Sequence, residues 1–126
     1  MPLNVLVTDD SAVMRAMIVR TLRMSGLDIG QVFHAGNGVE ALETLDAQWV
    51  DLALIDINMP VMDGLELLDQ IAQRPYAGGL RMIVVSTEGS DPRIAHIRAH
   101  GAEFVRKPFS PEYLCEVVTR LTGVAA

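Results

Sequence analysis

Cysteine is almost absent: Cys115 stands alone among 126 residues, so no internal disulfide can form and stability must come from a packed core. Basic residues are too few as well. The formal charge of −6 leaves no basic face to attract DNA, RNA or anionic lipid, so direct nucleic-acid binding is not expected. No apolar run approaches the length of a bilayer span, which argues against membrane insertion. The first residues lack a basic segment followed by a long apolar stretch, so no secretory leader is expected and a cytoplasmic setting is. Internal repeats, low-complexity segments and linkers are missing too. At 126 residues, half of them hydrophobic, the chain has material for one well-filled core, and residues 1–126 read as a single domain with no output domain.

What the chain does have is three aspartates placed where hydrophobic runs end. Asp9 and Asp10 close the run Leu3 to Thr8, and Asp56 closes Leu52 to Ile55. Both runs are near-continuously apolar, as expected of parallel strands covered by helices on two faces. Adjacent parallel strands bring their carboxyl ends together, and open α/β sheets bind ligands at that edge. Carboxylates forced so close repel one another unless a divalent cation sits between them. Oxygen-only ligation favours magnesium, manganese or calcium over zinc.

Helix and strand patterns alternate along the rest of the chain. A helix after Asp10 places Met14, Met17, Ile18, Thr21 and Leu22 on one face, with Ser11 or Asp10 as N-cap and Gly26 as its stop. Then follow a strand over Gln31 to Ala35, a helix over Asn37 to Ala47 and a strand over Asp51 to Asp56. A Pro- and Gly-punctuated loop, residues 57 to 64, leads to a helix marked by Leu65, Leu67, Leu68 and Ile71. The remainder reads as a strand over Leu80 to Val85, a helix over Asp91 to His100, a strand over Glu103 to Arg106 and a helix over Pro111 to Leu121. Residues 123 to 126 are expected to fray. Five strands alternating with helices imply an α/β flavodoxin-like (βα)5 doubly wound parallel sheet, with strand order 2-1-3-4-5 and its switch point between strands one and three.

That topology adds Ser86, ending the fourth strand, and Lys107, ending the fifth, to the acidic edge. A lysine there offsets carboxylate charge and can donate to an anion, and a hydroxyl can do the same. Lys107 precedes Pro108, so their bond tolerates either the trans or the cis form. The set suits covalent phosphorylation of a carboxylate: Asp56 attacks phosphorus, magnesium bridges carboxylates and phosphoryl oxygens, and Lys107 and Ser86 stabilise the remaining charge.

Thr8-Asp9-Asp10-Ser11 with Met14-Arg15, Asp56-Ile57-Asn58-Met59-Pro60 with Met62-Asp63-Gly64, Val85-Ser86, and Lys107-Pro108-Phe109 occur in this order at domain-scale spacing. Together they resemble the receiver domain of two-component response regulators, above all its single-domain chemotaxis branch, from Val5 to about Leu121. The resemblance implies that Asp56 is the phosphoryl acceptor and that Asp9 and Asp10 are the acidic pair holding Mg2+, for which Mn2+ can substitute. Asn58 would add its backbone carbonyl. Ser86 and Phe104 would be the switch hydroxyl and switch aromatic, and Asn58 and Glu88 would tune autodephosphorylation. The implied partners are a sensor histidine kinase of the chemotaxis type, a flagellar motor switch or other output protein, and a phosphatase. The chain departs from many such proteins in having Ser rather than Thr, and Phe rather than Tyr, at the switch positions. The segment from Gly101 to Phe104 also looks one residue short. Ile57 replaces the tryptophan that follows the acceptor in well-known relatives, and Trp49 is the only tryptophan.

Simpler roles compete at several positions. Asp9-Asp10-Ser11 alone would be a capping turn, Asp63-Gly64 reads as a turn rather than a ligand, and Phe104 could serve as ordinary core packing. His34, His96 and His100 share no ligand spacing with a carboxylate pair and read as surface or helix positions, although His96 and His100 fall at i and i+4 and could hold a metal weakly. Cys115 reads as a small apolar helix residue, and the methionines mostly as core. Alternative functions are a phosphorelay or phosphate-sink receiver and a receiver excised from a larger regulator. A flavin carrier shares the fold, but Asp9 and Asp10 would repel flavin phosphate. A phosphatase with an aspartate nucleophile would need a lid the chain lacks.

Overall fold

The computed structural model describes residues 2–123. Five parallel strands, β1 (Leu3–Thr8), β2 (Ile29–Ala35), β3 (Leu52–Ile55), β4 (Arg81–Ser86) and β5 (Glu103–Arg106), form one sheet in the expected order β2-β1-β3-β4-β5. Helices α1 (Ala12–Met24), α2 (Gly38–Ala47), α3 (Gly64–Ile71), α4 (Asp91–Ala99) and α5 (Pro111–Thr122) connect and follow them.

Strand alternation divides the core into two layers. Leu6, Ala53, Ile55, Met82 and Val84 face α2, α3 and α4, where Leu42, Leu67, Leu68, Ile71 and Ile97 meet them. Their neighbours Val5, Val7, Leu52, Leu54, Ile83 and Val85 face α1 and α5, against Ile18, Leu22, Leu114, Val117 and Val118. The central strands are nearly continuously apolar because both of their faces are covered.

Local signals set most boundaries. Ser11, not Asp10, caps α1 by accepting from the Met14 N–H at 3.2 Å, and Gly26 ends it at a φ of 87°. Asn37, Asp63 and Ser110 cap α2, α3 and α5 in the same way, so Asp63 is a helix cap. Several expected bounds need correction, β3 among them, which spans Leu52–Ile55 rather than Asp51 to Asp56. β2 begins at Ile29 rather than Gln31, because the Asn4 side chain accepts from the Gln31 N–H at 3.0 Å and holds the chain beside β1 through a register shift. β4 runs one residue later, Arg81–Ser86, and α4 stops at Ala99 with His100 as its cap. Most of the described methionines join the core, Met82 buried and Met14, Met59 and Met62 packed partly buried against it, while Met17 and Met24 are exposed. The two-faced sheet is filled by branched residues, which leaves α1's outer methionines at a groove against α5 and Cys115.

Tyr76, after α3, donates to Asp46 of α2 at 3.0 Å. Burial first, then Asp46, push its phenol up to about 12 from an ordinary 10.0. A raised acid favours its neutral form in the fold. The Tyr76 contribution is therefore complete below its unfolded value and lost as pH rises through about 12. Urea unfolding at stepped alkaline pH should show this loss, and Tyr76→Phe should weaken it while costing about 1 kcal/mol at neutral pH.

Candidate functional site

The ladder places the acidic residues. Thr8 pairs with Ile55 in the last rung between β1 and β3, so Asp9 and Asp56 follow side by side. The Asp56 N–H donates to the Thr8 carbonyl at 2.9 Å, and the Asp9 N–H to the Ala35 carbonyl at 3.0 Å. On the other side, Lys107 N–H donates to the Ser86 carbonyl at 2.9 Å, so the ends of four strands and the chain after β5 converge.

Asp9 is buried at 3% exposure, and one of its oxygens accepts from the Ser11 N–H at 2.9 Å. The other lies 2.9 Å from Lys107 Nζ, which is also 3.7 Å from Asp56 Oδ1. The Arg15 guanidinium, itself close to His34 Nδ1, donates to the Asp9 carbonyl and fixes the turn from behind. Asp10 is exposed, yet carboxylate oxygens of Asp9, Asp10 and Asp56 lie within 4.8 Å of one another. Burial is the main influence holding Asp56 above the usual aspartate range; Lys107 opposes it, Asp9 adds to it, and the Ile57 N–H and Ser86 hydroxyl oppose it. Three carboxylates face one ammonium, and this all-oxygen donor set fits a hard divalent cation such as Mg2+ or Mn2+.

Ser86 is fully buried, its Oγ accepting from the Glu88 N–H at 3.2 Å. Asn58 and Glu88 are exposed, and Glu88 pairs with Arg93 at 2.7 Å. Phe104 is partly buried against the α2, α3 and α4 layer. Its ring occupies the place a Cβ on Gly89 would need, and the Arg106 guanidinium lies 5.5 Å above it while donating to the Gly89 carbonyl at 3.1 Å. The Lys107–Pro108 bond is cis.

A family model described as the response regulator receiver domain matches residues 5–119. The chain belongs to that family. This receiver is 36% identical over 123 residues to chemotaxis protein CheY1 of Helicobacter pylori, a match covering 96% of this chain and 98% of that protein. It is 37% identical over 116 residues to a protein-glutamate methylesterase/protein-glutamine glutaminase of Rhodospirillum centenum, which takes in 90% of this chain and only 29% of the relative's length. The corresponding protein of Paramagnetospirillum magneticum is 33% identical, with 34% of its length covered, so the receiver spans about a third of these relatives. Among solved structures, chemotaxis protein CheY4 of Vibrio cholerae superposes with a TM-score of 0.84 at 31% identity, covering 96% of this chain and 99% of that one.

The structure brings together Asp9, Asp10, Asp56, Ser86 and Lys107, as the sequence led one to expect, and puts Phe104 beside the loop after β4. Sequence reasoning missed Arg15 behind Asp9 and Arg106 above Phe104; a basic residue one turn into α1 and one before Lys107 were the only signals. It also passed over Asp69, whose Oδ1 lies against both His96 and His100, so those histidines do share a carboxylate.

The loop after Asp56 is tightly built. Val61 has a φ of 68°, and across it the Met62 N–H donates to the Pro60 carbonyl at 2.7 Å, a three-residue turn strained for a β-branched residue. Gly64 N–H donates to the Ile57 carbonyl at 2.8 Å, and a Cβ on Gly64 would sit 2.3 Å from the Asp56 carbonyl oxygen. Backbone cannot yield there. Gly64→Ala should therefore cost about 2 kcal/mol or more in urea unfolding. Trp49, 71% exposed and bonded to Asp51, lies before β3 at the far end of that strand from Asp56. Magnesium should thus leave tryptophan emission nearly unchanged, and a large quench would contradict this geometry.

Proposed function

We propose that this receiver is phosphorylated on Asp56 and acts as a phosphorylation-controlled response regulator of a chemotaxis-type two-component system in the cytoplasm. The observation that carries the proposal is the convergence of Asp56 with Asp9, Asp10, Ser86 and Lys107 at one sheet edge. An Asp56 oxygen attacks the phosphorus of a phosphohistidine on a sensor kinase. The P–N bond breaks, the imidazole leaves with the bonding electron pair, and an acyl phosphate remains on the protein. Asp9, Asp10, Asp56 and the Asn58 carbonyl would hold Mg2+, which supplies charge neutralisation for the phosphoryl oxygens. Lys107 turns from the carboxylates toward the new oxygens, and Ser86, whose hydroxyl already favours an ionised Asp56, donates to them.

The switch follows from what Ser86 gives up. Its Oγ holds the Glu88 N–H, so drawing the hydroxyl toward phosphate pulls on the loop whose Gly89 packs on Phe104. Movement there alters the face formed by α4, β5 and α5, which an output partner such as a flagellar motor switch protein would read. Throwing the balance from mostly off to mostly on needs roughly 5.5 kcal/mol of differential stabilisation, to which charge-assisted bonds and the partner both contribute. Phosphoryl loss, by reaction with water or through a phosphatase, resets it.

A second reading, in which the chain is the receiver portion of a larger regulator, is supported by the methylesterase relatives whose length it only partly covers. Intact mass after incubation with a small acyl phosphate tests the chemistry common to both. Gain of one phosphoryl group with Mg2+, absent without metal and absent in Asp56→Asn, is expected. Equal gain in the variant would remove Asp56 from the acceptor role.

A further inference from the structure

Toward their C-terminal ends, α3 and α4 carry three side chains that the receiver chemistry does not use. Asp69 Oδ1 lies 2.9 Å from His100 Nε2 and 3.3 Å from His96 Nε2. Both helices begin near the acidic edge, at Gly64 and Asp91, so this cluster sits away from Asp56 on the outer side of the α2, α3 and α4 layer. His96, in the last turn of α4, and His100, its C-cap, have ring centroids 4.8 Å apart and planes inclined by 36°.

Proton placement makes the cluster informative. His100 Nδ1 lies 3.0 Å from the His96 carbonyl oxygen. A carbonyl only accepts, so Nδ1 carries the proton, and in the neutral ring Nε2 keeps a bare lone pair while lying 2.9 Å from Asp69 Oδ1. Lone pair against carboxylate is repulsive; the contact is favourable only around a positive centre, either a proton on Nε2 or a bound cation. A second imidazole nitrogen, His96 Nε2, lies 3.3 Å from the same oxygen. One cation serves all three donors at once, whereas protons would require a charged His100 beside a His96 that donates its own Nε2–H.

We propose that Asp69, His96 and His100 form a transition-metal site joining α3 to α4, with Zn2+ as the representative occupant. Two imidazole nitrogens and one carboxylate oxygen suit zinc and its Irving–Williams neighbours rather than Mg2+. Tetrahedral zinc with such ligands places donor atoms roughly 3.4 Å apart, close to the two separations between nitrogen and Asp69, and a modest turn of the side chains closes the set. The Nδ1–H bond to a backbone carbonyl is the outer contact that orients a metal-binding histidine. Partial exposure of all three side chains leaves an ion a path in and a fourth position for water. Because α4 belongs to the proposed output face, occupancy would tether that face to α3; this last consequence alone rests on the phosphorylation reading.

Isothermal titration of the full chain with ZnCl2 in excess Mg2+ tests the site, together with His96→Gln, His100→Gln, Asp69→Asn, Asp56→Asn and Cys115→Ser. One Zn2+ per chain is expected, weakened more than about tenfold in each histidine variant. Asp69→Asn should weaken it too, and Asp56→Asn and Cys115→Ser should not. His96→Gln leaves the His100 bond to the backbone intact, so unchanged metal-free melting of that variant separates lost ligation from lost fold. Co2+ should give visible bands of a nitrogen and oxygen site without thiolate charge transfer. Zinc that binds undiminished in His96→Gln and His100→Gln, or that follows Asp56 or Cys115, overturns the assignment, as does no zinc binding. Because binding is read without phosphoryl donor, its failure and that of the phosphorylation reading are distinguishable.

Discussion

Lys107→Ala is expected to destabilise the protein by roughly 2–4 kcal/mol at neutral pH, the cost of stranding a buried charge without its partner. Asp9 is the stranded group: it is nearly inaccessible, and its nearest cation is the Lys107 ammonium at 2.9 Å. Lys107 also approaches Asp56, so its removal leaves Asp9, Asp10 and Asp56 facing one another with no positive group among them. Magnesium should then stabilise the variant more steeply than the wild type, because the cation takes over part of the lost compensation. Urea unfolding with and without Mg2+ measures both effects. On the proposed function, phosphoryl gain from an acyl phosphate, followed by quenched intact mass, should slow by roughly a hundredfold, since Lys107 would be one electrostatic stabiliser of the transferring group. A Lys107→Ala protein as stable as wild type in metal-free buffer would show that the ammonium does not balance these carboxylates.

Asp56→Asn should act in the opposite direction on stability. Burial, with the Asp9 charge, holds the Asp56 carboxyl above its ordinary range. The fold thus favours the protonated form more than the unfolded chain does. The stabilising effect of the protonated Asp56 carboxyl is complete below the unfolded aspartate value and disappears as pH rises through the raised folded value. At neutral pH the ionised carboxylate is a net cost in the metal-free protein. Asparagine removes that cost, so the variant should melt a few degrees higher, a shift corresponding to about 1 kcal/mol for a domain of this size. Melting curves from mildly acidic to neutral pH should show the gap between variant and wild type opening with pH in chelator and shrinking in Mg2+. In the Lys107→Ala background the gain from Asp56→Asn should be larger, a coupling that a double-mutant cycle reads directly.

Much of this site was legible because strand ends are legible. Where an apolar run such as Leu52 to Ile55 stops at an aspartate, and helices must cover both faces, the topology alone carries Asp9, Asp56, Ser86 and Lys107 to one edge. What escaped depended on side chains crossing between elements. Asn4 moves the start of β2 through a bond to Gln31, and Asp69 on α3 meets two histidines on α4. Arg106 reaches back over Phe104 to Gly89. None of these pairs leaves a periodic trace, since each is set by helix packing and rotamer. Met17 and Met24 misled for a related reason: hydrophobicity marks apolar positions on α1 but does not say which of them the sheet has room to take.

The ion pair between Asp9 and Lys107 also bears on how the chain is made. It joins residues 98 positions apart. A ribosome delivers all three carboxylates, with the strands that align them, well before the lysine. Through that interval a docked β1 and β3 hold carboxylates eased only by hydrogen bonds such as those of Ser11 and Ile57, and the chain after the last strand brings the ammonium that faces them. Assembly of the edge is therefore a late, long-range event, slow by the general relation between contact separation and rate. Truncated chains ending before β5 should need divalent cation to hold β1 against β3.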